Sequence, residues 1–172
     1  MRWSELKRRV EAEFAEEIRD RVSIHVTRHY HRSRCSHGWI TLDGEEIADF
    51  CDSSTYFPGD GHLGWRRHAL VGRGEMRTWD FKAACWDLLH DGVEAALASK
   101  DPLRQAMAVL HRKVGKRRLE ALLREPEALH PLVLYFIALR NDPSARPARR
   151  PGSLGDAAPL PAAAPASLET PA

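Results

Sequence analysis

The chain is poor in cysteine. Three thiols, Cys35, Cys51 and Cys85, are spread over 172 residues. An odd, sparse set excludes a disulfide framework, and no CxxC pair is present to start a zinc or redox motif. Long apolar runs are also missing. None approaches the roughly 20 residues that cross a bilayer. The opening residues, MRWSELKRRVEAEF, are charged throughout and lack the apolar stretch of a secretory signal. These absences point to the cytoplasm and away from a membrane partner. Excess charge of one sign is absent as well. A net charge of +2 gives the whole molecule little pull on nucleic acid. No GxSxG elbow occurs, which removes the serine-hydrolase reading.

What remains is an ordinary globular composition, 43% hydrophobic and 29% charged. The expected organisation is one domain over residues 1–142. Residues 143–172, rich in Pro and Ala and without aromatics, form an expected disordered tail, because they cannot bury enough apolar surface to offset the entropy of ordering. Charge is uneven within the domain. Arg21, Arg28, Arg32 and Arg34 fall in a stretch without acids. Asp43, Glu45, Glu46, Asp49, Asp52 and Asp60 fall in the next, without bases.

Trp3, Leu6, Val10, Phe14 and Ile18 recur at helical spacing and predict a first helix, with Ser4 as its N-cap. Val22, Ile24 and Val26 alternate with polar residues, the period of a strand. GWITL and EEIADF flank Asp43-Gly44, a two-residue hairpin signal. A two-residue turn sets Ile40 opposite Ile47 and Trp39 opposite Ala48. Residues 51–78 hold Pro58 and five glycines and read as a loop, with only Trp65–Val71 helical in pattern. Phe81, Cys85, Leu88 and Leu89 mark a helix ending near Ser99. Asp101 and Pro102 open another, with Leu103, Ala106, Met107 and Leu110 as its stripe. Leu119, Leu122 and Leu123 mark a third, stopped before Pro126. Pro131 begins a last one with Leu132, Val133, Phe136 and Leu139. The fold class expected is α+β: an N-terminal helix, a small antiparallel three-stranded sheet with the Asp-Gly hairpin, and a C-terminal bundle of about four helices.

Four blocks carry a family resemblance. They are Met1-Arg-Trp-Ser with Phe14; Arg21-Val22 with Ile24-His25, Thr27 and Arg28, continued by Trp39-Ile40, Asp43–Ile47 and Phe50-Cys51; Asp101–Leu103 through Val114–Leu119; and His130–Val133 with Phe136, Leu139 and Arg140. The WIxxDGEEI and VGKRRL stretches are the most specific. With these blocks the chain resembles a family of small uncharacterised bacterial proteins. That family has no assigned activity, so the resemblance implies no catalytic residue. It implies an acid where this chain has His111, which leaves this chain locally more positive. The Gly-rich stretch 57–64 departs from the pattern.

The densest basic cluster is Arg112, Lys113, Lys116, Arg117 and Arg118, the candidate anion-binding residues. Gly115 is expected to end one helix in the αL conformation and start the next. Free amides beside several cations favour an anion. If the helix were continuous, Arg112 with Lys116 and Lys113 with Arg117 would share a face. The plain alternative is a solvated helix face paired with Glu120, Glu125 or the acidic hairpin. Val-Gly-Lys lacks the upstream glycine and strand of a Walker A loop.

A second cluster runs through β structure. His25, Thr27, His29 and His31 would point to one strand face, with Cys35 and His37 in the following turn. Their strand spacing only partly suits one ion, so no metal ligand is assigned. Glu45 and Asp49 would share a strand face, as charges that discourage edge pairing. Gly59–Gly64 spells GxGxxG but lacks the βαβ setting that gives it meaning. Cys85 falls in an apolar stripe and reads as a core residue. The sequence thus carries no catalytic assignment and no cofactor, and nothing in it specifies an oligomeric state. The leading expectation is a non-enzymatic binding or regulatory module that holds nucleic acid or an acidic protein surface on the basic hinge. The alternative is a metal-dependent hydrolase built on the histidine-rich strand and turn.

Overall fold

A computed structural model describes residues 1–28, 36–51, 70–71 and 76–146. His29, His31, Cys35, the GxGxxG stretch, the helical pattern at 65–69 and residues 147–172 lie outside the described residues. The architecture is α+β. A three-stranded antiparallel meander, β1 (Val22–Arg28), β2 (Ser36–Leu42) and β3 (Glu45–Cys51), is packed by helices. Two helices precede it, α1 (Trp3–Ala12) and α2 (Glu16–Arg19). Five follow among the described residues: α3 (Thr78–His90), α4 (Val93–Leu97), α5 (Pro102–Leu110), α6 (Lys116–Leu122) and α7 (Pro131–Asn141).

The hairpin turns at Asp43 and Gly44, whose φ of 51° and 82° are those of a type I′ turn. Arg21 holds Asp43 with two hydrogen bonds of 2.8 Å. The register beyond the turn differs from the simple expectation. Thr41 faces Glu46, but Ile40 faces Ala48 and Trp39 faces Asp49, so Ile47 is an extra residue in β3. Ile47 and Ala48 are thereby both buried, although they are neighbours on one strand. The slip also re-sorts the acids. Glu46 and Asp49, rather than Glu45 and Asp49, now share the sheet face that carries His25, His37 and Trp39.

The opposite face, with Val22, Ile24, Ile40, Ala48 and Phe50, meets the helices. Phe81 of α3 stacks against Phe50 at 4.5 Å and approaches β2 at Gly38. A Cβ on Gly38 would lie 3.1 Å from the Phe81 ring, so only glycine lets α3 sit this close. Thr78, fully buried, places its hydroxyl 2.9 Å from the carbonyls of both Ser36 and Phe50. The open edge of β1 is covered by α1. Glu11 accepts the Ile24 N–H at 2.9 Å, and Lys7 donates to the Ile24 carbonyl at 2.8 Å. This satisfies an edge that would otherwise invite a foreign strand.

Two expected helices are each broken. The first stops at Ala12 instead of running through Ile18. Phe14 forms an isolated antiparallel bridge with His111, and α2 resumes at Glu16. Ser4 is not its cap, because the helix starts at Trp3 with Arg2 at the N-cap. The helix from Phe81 stops at His90, since Gly92 has φ of 84°, outside any helix. Among the described residues the expected helical bundle after the sheet thus has five α-helices. α5 is the centre of the helical layer: Ala106 through Leu110 are all fully buried, so its C-terminal half is covered on every side, while Arg104 and Gln105 are only partly buried.

Candidate anion-binding site

The site lies where α5 ends and α6 begins. α5 stops at Leu110, and His111 is already extended, with ψ of 136°. There is no continuous helix, so the expected face pairs Arg112–Lys116 and Lys113–Arg117 do not form. Gly115 is not in the αL conformation either. Its φ of −82° and ψ of 167° are extended, and it serves as the N-cap of α6. Open space surrounds it. What makes the bend is two sets of interactions from elsewhere in the chain and one within it.

The first is the bridge to the N-terminal segment. Ala15 donates to the Leu110 carbonyl at 2.9 Å, and Arg112 donates its backbone N–H to Glu13 at 2.8 Å. The second is Arg140 of α7. Its side chain is only 6% exposed. Its guanidinium donates to the carbonyls of Val109 (2.6 Å), His111 (3.2 Å) and Val114 (2.9 Å), and to Glu17 at 2.7 Å. Val109 lies in the last turn of α5 and His111 and Val114 in the bend beyond it, and one planar fork of donors gathers their carbonyls. The third is His111 itself. Its Nδ1 accepts the Lys113 N–H at 3.0 Å, which puts the ring proton on Nε2, 3.4 Å from a Glu13 oxygen. His111 is itself buried, at 6% exposure.

On this frame the five basic residues divide. All five are exposed. Arg112 is held by both Glu13 oxygens at 3.0 and 3.2 Å, and Arg118 pairs with Glu94 of α4. The partners are thus Glu13 and Glu94, not Glu120, Glu125 or the hairpin. Among the described residues, Lys113, Lys116 and Arg117 form no ion pair.

Burial pushes the His111 pKa below its ordinary value, against the pull of Glu13 and with the help of Lys113, Arg112 and Arg140. A histidine shifted this way stabilises the fold fully above its unfolded pKa of about 6.5 and loses that contribution as pH falls through the folded value. His111→Asn keeps an acceptor for the Lys113 N–H but does not titrate. The wild type should therefore lose stability relative to His111→Asn between pH 7 and pH 5, read as urea midpoints of the two proteins. A gap that stays constant, or moves in favour of the wild type on acidification, would contradict this role.

The histidine-rich strand gives a different picture. His25 and His37 both stack on Trp39, each at 5.0 Å between ring centroids. His25 is 3.1 Å from the Thr41 hydroxyl, and His37 is 2.9 Å from Asp49. Burial, then the Lys7 charge, lowers the His25 pKa. Burial opposes charge on His37 too, but Asp49 and Glu46 outweigh it and raise its pKa. Among the described residues no three His, Cys, Asp or Glu side chains converge as a metal site. Cys85 is fully buried in α3, and burial pushes its thiol far above the reactive range.

The model of the SF0329 protein family matches residues 2–141. The chain belongs to that family. The SF0329 match covers both broken helices, the sheet, the Arg140 clamp and all five basic residues. No curated protein and no solved structure matches the chain. Among the described residues no helix is long and apolar enough to cross a membrane.

Proposed function

We propose that this SF0329 protein is a non-enzymatic binding module of the bacterial cytoplasm. It holds a polyanionic partner, either nucleic acid or an acidic protein surface, on Lys113, Lys116 and Arg117. One observation carries the reading. Three exposed cations that form no ion pair among the described residues sit on a bend that the chain fixes with a buried arginine, a strand bridge and a histidine. Arg112 and Arg118 are neutralised by Glu13 and Glu94 and serve mainly to tie that bend to α1 and α4. A fixed array of unpaired charges loses little freedom on meeting a second charged surface, and it steers encounter electrostatically.

The test is charge reversal. Lys113→Glu, Lys116→Glu and Arg117→Glu are combined in one variant and compared with the wild type. Binding is read by fluorescence anisotropy with a labelled DNA duplex, a single-stranded RNA and a poly-aspartate peptide. At least one probe should bind the wild type, and the variant should lose about tenfold or more of that affinity. Its thermal midpoint should stay close to that of the wild type, since none of the three side chains forms an ion pair within the bend among the described residues. Equal binding by the two proteins, or no binding of any probe, would overturn the proposal.

A further inference from the structure

A separate cavity of about 630 Å³ opens between the start of α1, the end of β1 and the outer side of α3. Its walls are unusual for so small a protein. Three of the five tryptophans in the chain, Trp3, Trp79 and Trp86, line it, with Leu6 and Val26 beneath. Trp3 is braced from below by Phe81, at 6.0 Å, and Trp86 lies flat on His90, at 4.0 Å. Trp86 remains 41% exposed. Its ring is thus oriented by a neighbour without being covered by the core. An apolar concavity of this volume has the dimensions of a small-molecule site rather than of a packing defect.

Charge at the mouth narrows the chemistry. Three charged side chains line the cavity: Arg2, Lys82 and Asp87. Asp87 is already engaged by Arg104 of α5, at 3.5 Å. Arg2 and Lys82 form no ion pair among the described residues. Among the described residues the apolar bed is therefore lined by two cations without an ion pair and one acid that has one. We propose that this cavity binds a small amphipathic carboxylate, with its aliphatic or aromatic body against the indoles and its head group at Lys82 and Arg2. Apolar burial supplies most of the affinity, and the charge-assisted pairs fix orientation and select against cations. Lys82 is well suited to this, since it lines the cavity from α3 and is half-buried, and a lysine can lay its stem along apolar surface while its ammonium stays at the rim.

The experiment is isothermal calorimetry on the full chain with decanoate and with naphthoate, each below its self-association limit, and with decyltrimethylammonium as the opposite charge. One or both carboxylates should bind one-to-one, and the cation should bind more weakly. Lys82→Glu should weaken carboxylate binding by about tenfold, the worth of one charge-assisted contact. Ala83→Trp, which fills the cavity from α3, should abolish it. Thermal midpoints establish that each variant is folded, and Arg2→Glu replaces Lys82→Glu if that variant is not. The triple reversal at Lys113, Lys116 and Arg117 should leave carboxylate binding unchanged, which separates this site from the basic bend. Three results would overturn the proposal: no one-to-one binding of either carboxylate, binding unaffected by both Ala83→Trp and the charge reversal, or a preference for the cation.

Discussion

Arg140→Met should destabilise the fold by about 3 kcal/mol or more. The substitution keeps most of the side-chain volume and removes the guanidinium. The carbonyls of Val109 and Val114 then lose the arginine donor, that of His111 keeps only the Val114 N–H, and Glu17 loses its partner. The arginine is 6% exposed, so water cannot simply replace it without opening the bend. The expected readout is a lower urea midpoint at an unchanged slope. Faster amide exchange at Val114 and Arg118 should accompany it, because their N–H groups are bonded within the bend, to His111 and Gly115. Arg140→Lys should fall between the two, since a single ammonium cannot reach all four acceptors as a planar fork does. A loss below about 1 kcal/mol would mean that the carbonyls are satisfied without the arginine.

Phe81→Ala should cost about 3–5 kcal/mol, the range for removing a buried ring from a core that cannot close around the gap. Phe81 is fully buried where α3 meets β2 and β3, with Phe50 on one side and Trp3 on another. On β2 the residue at that point is Gly38, which has no side chain to move into the void. Phe81→Leu, which keeps much of the volume, should cost under about 2 kcal/mol. Urea unfolding of both variants checks the pair. Similar, small losses for both would show that α3 is not wedged against the sheet as described.

Local pattern in the sequence carries much of this fold, and its failures have physical causes. Alternation in Val22–Val26 and the Asp-Gly turn mark the strands correctly, because one sheet face is buried and the turn requires two positive φ values. The bulge at Ile47 is invisible to that pattern, because Ile47 and Ala48 are both apolar and either could face the core. The break after Ala12 is hidden for a similar reason. Phe14 and Ile18 still fall at helical spacing, yet Phe14 is claimed by a bridge to His111, a contact made from far along the chain. The basic cluster was legible as composition. Which of its members stay unpaired was not, since Glu13 and Glu94 come from α1's end and from α4. Arg140 looks like one charge in an apolar helix, and only the folded chain shows three carbonyls around it. The tryptophan cavity is assembled from two separated helices and a strand end, so no spacing along the chain announces it.

The most direct test of the central claim, that three unpaired cations on a fixed bend hold a polyanion, is a salt titration of the wild type with the labelled DNA duplex. Three phosphate contacts at about 0.9 each predict a slope near −2.7 for log affinity against log salt. Reversing only Lys116 should make that slope shallower by about one. Affinity that does not change with salt, or a slope that Lys116→Glu leaves untouched, would contradict the account.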